Sequence, residues 1–342
     1  MLLTSRPLGS RPTPRLGGLR ALSSLAGGLP GGLVLLSLGG LVLLSLGCPS
    51  AHAAPALKTH ARAAKLPPAR PAGTVVAWGQ NDLGQAAVPA GLSGVVAIAA
   101  GDYYSLALKS DGTVVAWGQN SSGEATVPAG LSGVIAIAAG DGQSLALKND
   151  GTVVAWGRNH HGETDVPAGL SGMIAIAAGH RRSLAVKGDG TVVGWGSYYD
   201  SPPAALSHVV AVAAGRYHQM ALRSDGTVIA WGGGTSNETL APAGLSNVAA
   251  IAAGDGQSLA VKGDGTVAAW GSSYYSPPAG LSHVTAVAEG SRHRLALKSD
   301  GTVVAWGQND LGQTTLPAGL SGVVAIAAGG DHSLALVSAP TR

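Results

Sequence analysis

The fold is decided by a stretch that reads Ala97-Ile98-Ala99-Ala100-Gly101, then Ser105-Leu106-Ala107-Leu108-Lys109, then Asp111-Gly112-Thr113-Val114-Val115-Ala116-Trp117-Gly118. Apolar residues alternate in these short runs, β-branched types are common, and Gly and Asp-Gly separate the runs. Such alternation predicts β-strands, and an Asp-Gly pair between two strands predicts a tight hairpin. The stretch therefore predicts a compact antiparallel unit.

The same sequence pattern recurs along most of the chain. Each of the seven tryptophans occupies the same place in it, with spacings of 39, 39, 39, 36, 39 and 36 residues: Trp78, Trp117, Trp156, Trp195, Trp231, Trp270 and Trp306. A unit of this length with about four short strands is typical of a β-propeller blade and less so of a solenoid coil. We therefore expect an all-β fold.

The two ends of the repeat array complement each other. The array begins at Gly73 with the Thr-Val-Val-Ala-Trp half of a hairpin, and it closes with the other half at Ser333-Leu334-Ala335-Leu336. Pairing of the terminal strands would complete the seventh hairpin and leave no exposed sheet edge. The sequence thus predicts one domain, a seven-bladed β-propeller over residues 73–338 closed by its N- and C-terminal strands, followed by a tail at 339–342.

The N-terminal 72 residues have a different character. Four arginines precede position 21, an apolar run follows at 33–46, and Ala51-His52-Ala53 ends it. This order is typical of a secretory signal peptide cleaved after Ala53, and the run is short for a membrane span. An uncleaved anchor and a lipoprotein signal acylated at Cys48 are the alternatives. Residues 54–72, rich in Ala, Pro and basic side chains, are expected to be a disordered leader. We expect a secreted, periplasmic or extracellular protein with no stable membrane span after cleavage.

Charge separates the leader from the repeats. Residues 73–338 contain five Lys and seven Arg against all 18 acidic residues, so their net charge is −6, and the basic excess lies in residues 1–72. A negative folded body argues against a nucleic acid partner. Cys48 is the one cysteine, so a disulfide within the chain and a Cys-based zinc site are excluded.

Two recurring units carry a family resemblance. Gly329-Gly330-Asp331-His332-Ser333-Leu334-Ala335-Leu336 and the segment from Asp300 to Gln313 resemble the repeat of the regulator of chromosome condensation (RCC1) family. The short blades, Thr126 to Ala129 and Ser321 to Ile326 are closer to a secreted branch, the β-lactamase inhibitory protein II type. That resemblance implies a seven-bladed propeller and, for function, inhibition of a β-lactamase or penicillin-binding enzyme. The loops of this chain hold no Trp or Phe, and two of them are shortened around Ser-Pro-Pro, so the target implied by the resemblance does not follow from the loops.

Residues that repeat in every unit are expected to be structural. The tryptophans could act as stacking platforms, but filling the space between blades is the simpler role for an aromatic at one fixed position. Gly in each Asp-Gly pair supplies the positive φ of a tight turn. The Lys or Arg before each turn is expected to be a solvated rim.

Strand direction sorts the loops into two faces. The loops after each Ala-Gly and each Trp-Gly (Glu-Gly in one unit) share one face, which we call the variable face because its residues differ between units; the Asp-Gly turns occupy the other, the Asp-Gly face. All seven tyrosines and six of the ten histidines lie in the variable face. The candidate partner-binding residues are Asp102, Tyr103, Tyr104, His160, His161, Arg181, Arg182, Tyr198, Tyr199, Arg216, Tyr217, His218, Tyr274, Tyr275, Arg292, His293, Asp331 and His332. Tyr and Arg are enriched at interface hot spots, and loops on a rigid scaffold are common binding sites. The alternative is that these tyrosines merely cover the rim.

The sequence contains no recognisable catalytic motif. There is no nucleophile-elbow Ser or phosphate-binding loop, and His160-His161 is a weak metal signal. We therefore expect a monomeric, non-enzymatic protein without cofactor or metal that binds another protein through the variable face. His218, His293 and His332 would make that binding sensitive to pH between about 5 and 7. An RCC1-type nucleotide-exchange or chromatin-associated propeller and a carbohydrate or cell-wall binding module are the alternatives. Asn120 and Asn237 begin Asn-x-Ser/Thr triplets, which matter only where secreted proteins are glycosylated.

Overall fold

The computed structural model describes residues 37–38, 41–42, 72–197, 201–272 and 275–338. These residues form strands, turns and loops with no helix, which confirms the all-β prediction. None of the described segments, accordingly, is a helix long and apolar enough to cross a membrane. The predicted signal peptide, the leader and the tail lie outside the described residues, apart from Ala72 and a short antiparallel pair near the N-terminus.

The described strands are short and follow one another at regular intervals. In chain order they are β1 (Ser37–Leu38), β2 (Leu41–Val42), β3 (Gly73–Gly79), β4 (Val95–Ala100), β5 (Tyr104–Lys109), β6 (Val114–Gly118), β7 (Val134–Ala139), β8 (Gln143–Lys148), β9 (Val153–Gly157), β10 (Met173–Gly179), β11 (Arg182–Lys187), β12 (Val192–Gly196), β13 (Val209–Ala214), β14 (His218–Arg223), β15 (Val228–Gly232), β16 (Val248–Ala253), β17 (Gln257–Lys262), β18 (Val267–Gly271), β19 (Val284–Glu289), β20 (His293–Lys298), β21 (Val303–Gly307), β22 (Val323–Ala328) and β23 (His332–Ser338).

The strands after β2 group into antiparallel triplets. Five sheets have three consecutive strands each, from β7-β8-β9 to β19-β20-β21. A sixth sheet has the order β22-β23-β3-β4-β5-β6 and contains two triplets, which are joined only at the pair Gly73↔Val95. One of these two combines strands from opposite ends of the array, because β23 pairs with β3 over seven residues.

All triplets share one register. The second strand places Ser105 opposite Trp117 of the third strand, and the equivalent pairs are Ser144 and Trp156, Ser183 and Trp195, and Ser258 and Trp270. The terminal pairing repeats it, with Ser333 opposite Trp78. The first strand of each triplet has an irregular register after its first residue, as between Val95 and Ala97.

The core lies between successive triplets. The first and second strands are buried along almost their whole length. This burial explains their high alanine content, because small side chains let neighbouring sheets approach closely. The tryptophans are buried, and several donate from Nε1 to a main-chain carbonyl of the preceding triplet's loop, as Trp117 does to Gln85 at 3.0 Å. Trp78 donates in the same way to Gln313, at 2.9 Å, across the two ends of the array.

The Asp-Gly pairs form the tight turns that the sequence predicts. Gly112 has φ 78°, and its N–H donates to the carbonyl of Lys109 at 3.0 Å. A Cβ at Gly112 would also lie 3.2 Å from the main-chain N of Gly133, so both the dihedral angle and the space favour glycine. The Asp111 carboxylate accepts the N–H of Thr113 at 3.0 Å and closes the turn.

Candidate functional site

The two kinds of loop in the variable face lie side by side. In one triplet the N–H of Gln119, after Trp-Gly, donates to the carbonyl of Tyr103, after Ala-Gly, at 2.9 Å. The same bond joins Gln308 to Arg292 at 2.9 Å. Strand direction therefore places these loops on one face, as the sequence implies, and main-chain hydrogen bonds fix their positions.

Loops of successive triplets are also bonded to one another. The N–H of Asp102 donates to the carbonyl of Gly140 at 3.3 Å, and the N–H of His180 donates to the carbonyl of Gly215 at 3.2 Å. At the ends of the array, the N–H of Gly330 donates to the carbonyl of Gly101 at 3.3 Å. Residues from the first-strand ends of all the triplets line a shared cavity of about 70 Å³. The loops after Ala-Gly and Glu-Gly thus border one cavity.

The exposed candidate residues include two tyrosines. Tyr103 is 40% exposed and Tyr217 is 48% exposed, and the guanidinium carbon of Arg216 lies 5.7 Å from the centre of the Tyr217 ring. Other predicted partner-binding residues that are exposed are His160, His161, Arg181 and Arg292. These side chains are free to contact a partner.

Three further candidates are half-buried: Asp102, Tyr275 and Asp331. The Asp331 carboxylate accepts a hydrogen bond from the Gln313 side chain at 3.1 Å. Burial, together with the carboxylate of Asp141, raises the pKa of Asp102 to about 7. Three others, Tyr198, Tyr199 and Tyr274, lie outside the described residues.

Five predicted partner-binding residues are in the interior, so the prediction that they contact a partner directly is wrong. They are Tyr104, Arg182, His218, His293 and His332. All five begin the second strand of their triplet, and all five are buried there. Four of them directly follow an exposed loop residue, and His332 follows the half-buried Asp331, so each lies on the opposite side of the extended chain from its neighbour.

Tyr104, His218, His293 and His332 each make a contact that joins two triplets. Nε2 of His332 and Oγ of Ser105 are 2.9 Å apart, and the equivalent pairs are His218 with Ser258 at 2.7 Å and His293 with Ser333 at 2.9 Å. Ser144 Oγ and the Tyr104 hydroxyl are 3.0 Å apart. These residues therefore hold neighbouring sheets together.

The histidines in this position are neutral at pH values near 7. Ser105 donates its one proton to the carbonyl of Gln85 at 2.8 Å, so the Ser105 oxygen accepts from Nε2–H of His332. Burial lowers the pKa of His332 to about 4, of His218 to about 4 and of His293 to about 3. The prediction that they make binding sensitive to pH between about 5 and 7 is therefore wrong.

The sequence analysis missed a charged cluster in this face. The carboxylate of Asp141 lies 2.8 Å from Nη2 of Arg158 and 2.8 Å from Nε2 of His180, and Nε of Arg158 lies 3.1 Å from the carboxylate of the buried Glu163. The signal was available only as scattered single residues of three loops, since the contacts join neighbouring triplets. Within the described ranges, no group of three or more His, Cys, Asp or Glu side chains could hold a metal ion.

Two exposed leucines were also missed. Leu83 is 49% and Leu311 is 46% exposed, and each occupies the same place in an Asn-Asp-Leu-Gly-Gln loop after Trp-Gly. Other triplets have Ser122 or His161 there. An apolar residue at a loop position that is polar elsewhere was the available signal.

Four segments match a family model, the Regulator of chromosome condensation (RCC1) repeat, at residues 95–124, 134–163, 209–238 and 284–313. These four segments are similar to RCC1 repeats. Each matched segment begins at the first strand of a triplet and ends in the loop after Trp-Gly, so the repeat of the family coincides with the structural triplet. No curated protein sequence matches the chain significantly.

Solved structures with a similar fold include RCC1-type propellers. Prp20p from Saccharomyces cerevisiae is 18% identical, with a TM-score of 0.65, 79% of this chain covered and 92% of that chain. A structure of Kap60 bound to yeast RCC1 (Prp20) gives 18% identity, a TM-score of 0.66 and coverage of 86% and 97%. The CRINKLY WD40 ectodomain of the Arabidopsis thaliana receptor kinase ACR4 is 23% identical, with a TM-score of 0.58, 69% of this chain covered and 90% of that chain. At these identities the similarity shows the fold.

Proposed function

We propose that this RCC1-repeat chain is a secreted, non-enzymatic, seven-bladed β-propeller that binds another protein through its variable face. The seven-bladed closed ring is supported by the pairing of β23 with β3 in the register of the other triplets. It is further supported by the bond from Gly330 to Gly101 between the last and first loops. Secretion is supported by the basic, apolar and small-residue segments before Ala54.

The exposure of Tyr103 and Tyr217 carries the binding proposal. Both are large, amphipathic side chains with few rotatable bonds, and both lie on loops held by main-chain hydrogen bonds. Burying such a side chain orders little and removes much apolar area from water, which is the usual composition of a binding hot spot. Arg181, Arg216 and Arg292 beside them would pair with carboxylates of the partner.

A β-lactamase or penicillin-binding enzyme is the partner that we propose, because the short blades and array ends resemble the secreted inhibitor branch. Prp20p, a structural neighbour, is described with binding properties to Gsp1p and histones, and yeast RCC1 is described bound to Kap60. Other propellers with a similar fold are thus described as binding proteins. The net charge of −6 over residues 73–338 disfavours DNA, which is negatively charged, and does not by itself disfavour a basic protein such as a histone.

Secretion and binding are tested separately. The full chain, produced with its own N-terminus in a bacterium with a general secretion pathway, should appear outside the cytoplasm with Ala54 as its first residue by mass spectrometry. The purified product should then bind immobilised β-lactamase or penicillin-binding enzyme and slow hydrolysis of a chromogenic cephalosporin.

Variants identify the face. Tyr103→Ala with Tyr217→Ala should weaken binding, whereas Lys109→Ala with Lys262→Ala, on the Asp-Gly face, should leave it unchanged. Equal binding by the tyrosine variant and the unmodified protein would show that another surface binds. Absence of binding to either enzyme class would remove the proposed partner.

A further inference from the structure

One triplet departs from the repeat at two facing positions. Glu289 ends the first strand β19 where the other six triplets have Ala, and Arg294 lies in β20 where five have Ser and one has Gln219. Glu289 and Arg294 are direct partners in the β19–β20 register. Two ionisable residues in place of small ones at one paired site indicate a local role that the repeat itself does not need.

Arg294 is buried with unused hydrogen-bond donors. It is 1% exposed, and Nε and Nη1 of its guanidinium have no hydrogen-bond partner within the protein. One face of the guanidinium is covered by the ring of Tyr275, whose centre is 4.9 Å from Cζ. A buried donor without a partner is costly, and more so when it is charged. The guanidinium, which borders a cavity, would therefore be stabilised by an acceptor that reaches it.

The acceptor would have room beside Arg294. A cavity of about 310 Å³ is lined by Asp255, Ser272, Tyr275, Ser291, Arg292 and Arg294. Among the described residues of the lining, Asp255 alone has a carboxylate, and it is 3.6 Å from Nη1 of Arg216, which lies outside the lining. The two arginines of the lining thus leave the cavity with a net positive charge, and the hydroxyls of Ser272 and Ser291 add hydrogen-bonding groups.

Glu289 is the internal group that could neutralise Arg294, but it does not form that pair. Neither carboxyl oxygen of Glu289 has a hydrogen-bond partner, and the side chain packs against Gly254. Burial raises the pKa of Glu289 to about 8, although Arg294 partly opposes this. At neutral pH Glu289 is therefore a neutral acid, and the charge of Arg294 remains uncompensated.

We propose that the cavity beside Arg294 and Arg292 receives a carboxylate side chain of the protein partner, an Asp or Glu that inserts at this edge of the variable face. The planar guanidinium presents parallel N–H donors that match the two oxygens of a carboxylate, and stacking on Tyr275 holds it in orientation. This inference rests on the proposed protein-binding function and names the chemical group that the site takes.

The pocket can be tested without any protein partner. The main-chain amide resonances of Ser272 and Ser291 in the full-length secreted protein serve as reporters while acetate, or inorganic phosphate, is added at constant ionic strength and pH 6. Acetate should produce saturable shifts in the millimolar range. Failure of acetate to produce saturable shifts would overturn the proposal, and tighter binding of phosphate by about tenfold would replace the carboxylate by a phosphate group.

Two variants separate this pocket from its alternatives. Glu289→Ala with Arg294→Ser restores the residues of the other triplets, so it should fold, and it should lose about tenfold or more in acetate affinity. Glu289→Gln should leave acetate affinity within about twofold. A large gain in Glu289→Gln would show that Glu289 is the internal counterion of Arg294, against the proposal.

The partner then distinguishes this inference from the proposed function. If Tyr103→Ala weakens binding of the β-lactamase or penicillin-binding enzyme and the Glu289→Ala/Arg294→Ser variant does not, the carboxylate pocket is wrong and the binding face stands. If acetate binds while neither enzyme does, the anion pocket stands and the proposed partner falls.

Discussion

Replacing Glu289 by Ala together with Arg294 by Ser should stabilise the protein, and more so at higher pH. Both ionisable side chains are buried with carboxyl or guanidinium atoms that lack hydrogen-bond partners, and the replacements are the residues that most other triplets have. Substitution of buried ionisable pairs by residues that pack well is often stabilising, because desolvation of the charges exceeds their mutual attraction.

The pH dependence follows from Glu289. Burial raises its pKa from 4.5 to about 8. Between those values the unfolded chain has released the proton and the folded chain still holds it, so the free energy of unfolding falls as the pH rises. With about 1.4 kcal/mol for each pH unit, the penalty at pH 7 is about 3 kcal/mol, and at pH 5 it is below about 1 kcal/mol.

Urea unfolding followed by tryptophan fluorescence at pH 5, 6, 7 and 8 measures the difference. The variant should exceed the unmodified protein by a margin that grows across this range. Glu289→Gln alone is the matched control, since it removes the titration and keeps the volume. A margin that is the same at every pH, or a variant less stable than the original, would refute the reasoning, because it would mean that Glu289 is ionised and paired in the folded state.

Three other outcomes are expected. Burial lowers the pKa of His332 to about 4, so the free energy of unfolding should fall as the pH drops from about 6.5 to 4. Two other triplets have Gln at this position, and the variant His332→Gln should remove about 3 kcal/mol of that loss, as measured by urea titrations. Tyr104→Phe should lower the free energy of unfolding by about 1 to 2 kcal/mol and leave partner affinity unchanged. Tyr103→Ala should weaken partner affinity by about 30-fold and leave the melting temperature unchanged. The reverse pattern would show that the two side chains have been assigned to the wrong environments. Deletion of strand β3 (Gly73–Gly79) should destabilise the fold far more than deletion of residues 54–71, since β3 pairs with β23 over seven residues. Equal melting temperatures would contradict closure by these strands.

The loop face could be predicted from sequence because strand direction alternates. The sequence of each unit predicts three antiparallel strands that alternate in direction, so the loops after Ala-Gly and Trp-Gly must share a face. The main-chain hydrogen bond from Gln119 to Tyr103 joins two such loops. The Asp-Gly turns follow from a local requirement, the positive φ of Gly112. These features depend on residues close in sequence, which is why no tertiary information was needed.

The sequence by itself determined the strands, the turns, the repeat and the face on which the variable loops lie. The tertiary structure decided which variable residues are available to a partner: Tyr103 is exposed, and its neighbour Tyr104 is buried against Ser144 of the next triplet. Tyr, His and Arg suit either place, because each has an apolar body and a polar end that a neighbouring hydroxyl or solvent can satisfy equally well. Only the approach of the next sheet, some 40 residues further along the chain, determines whether that end meets Ser or water.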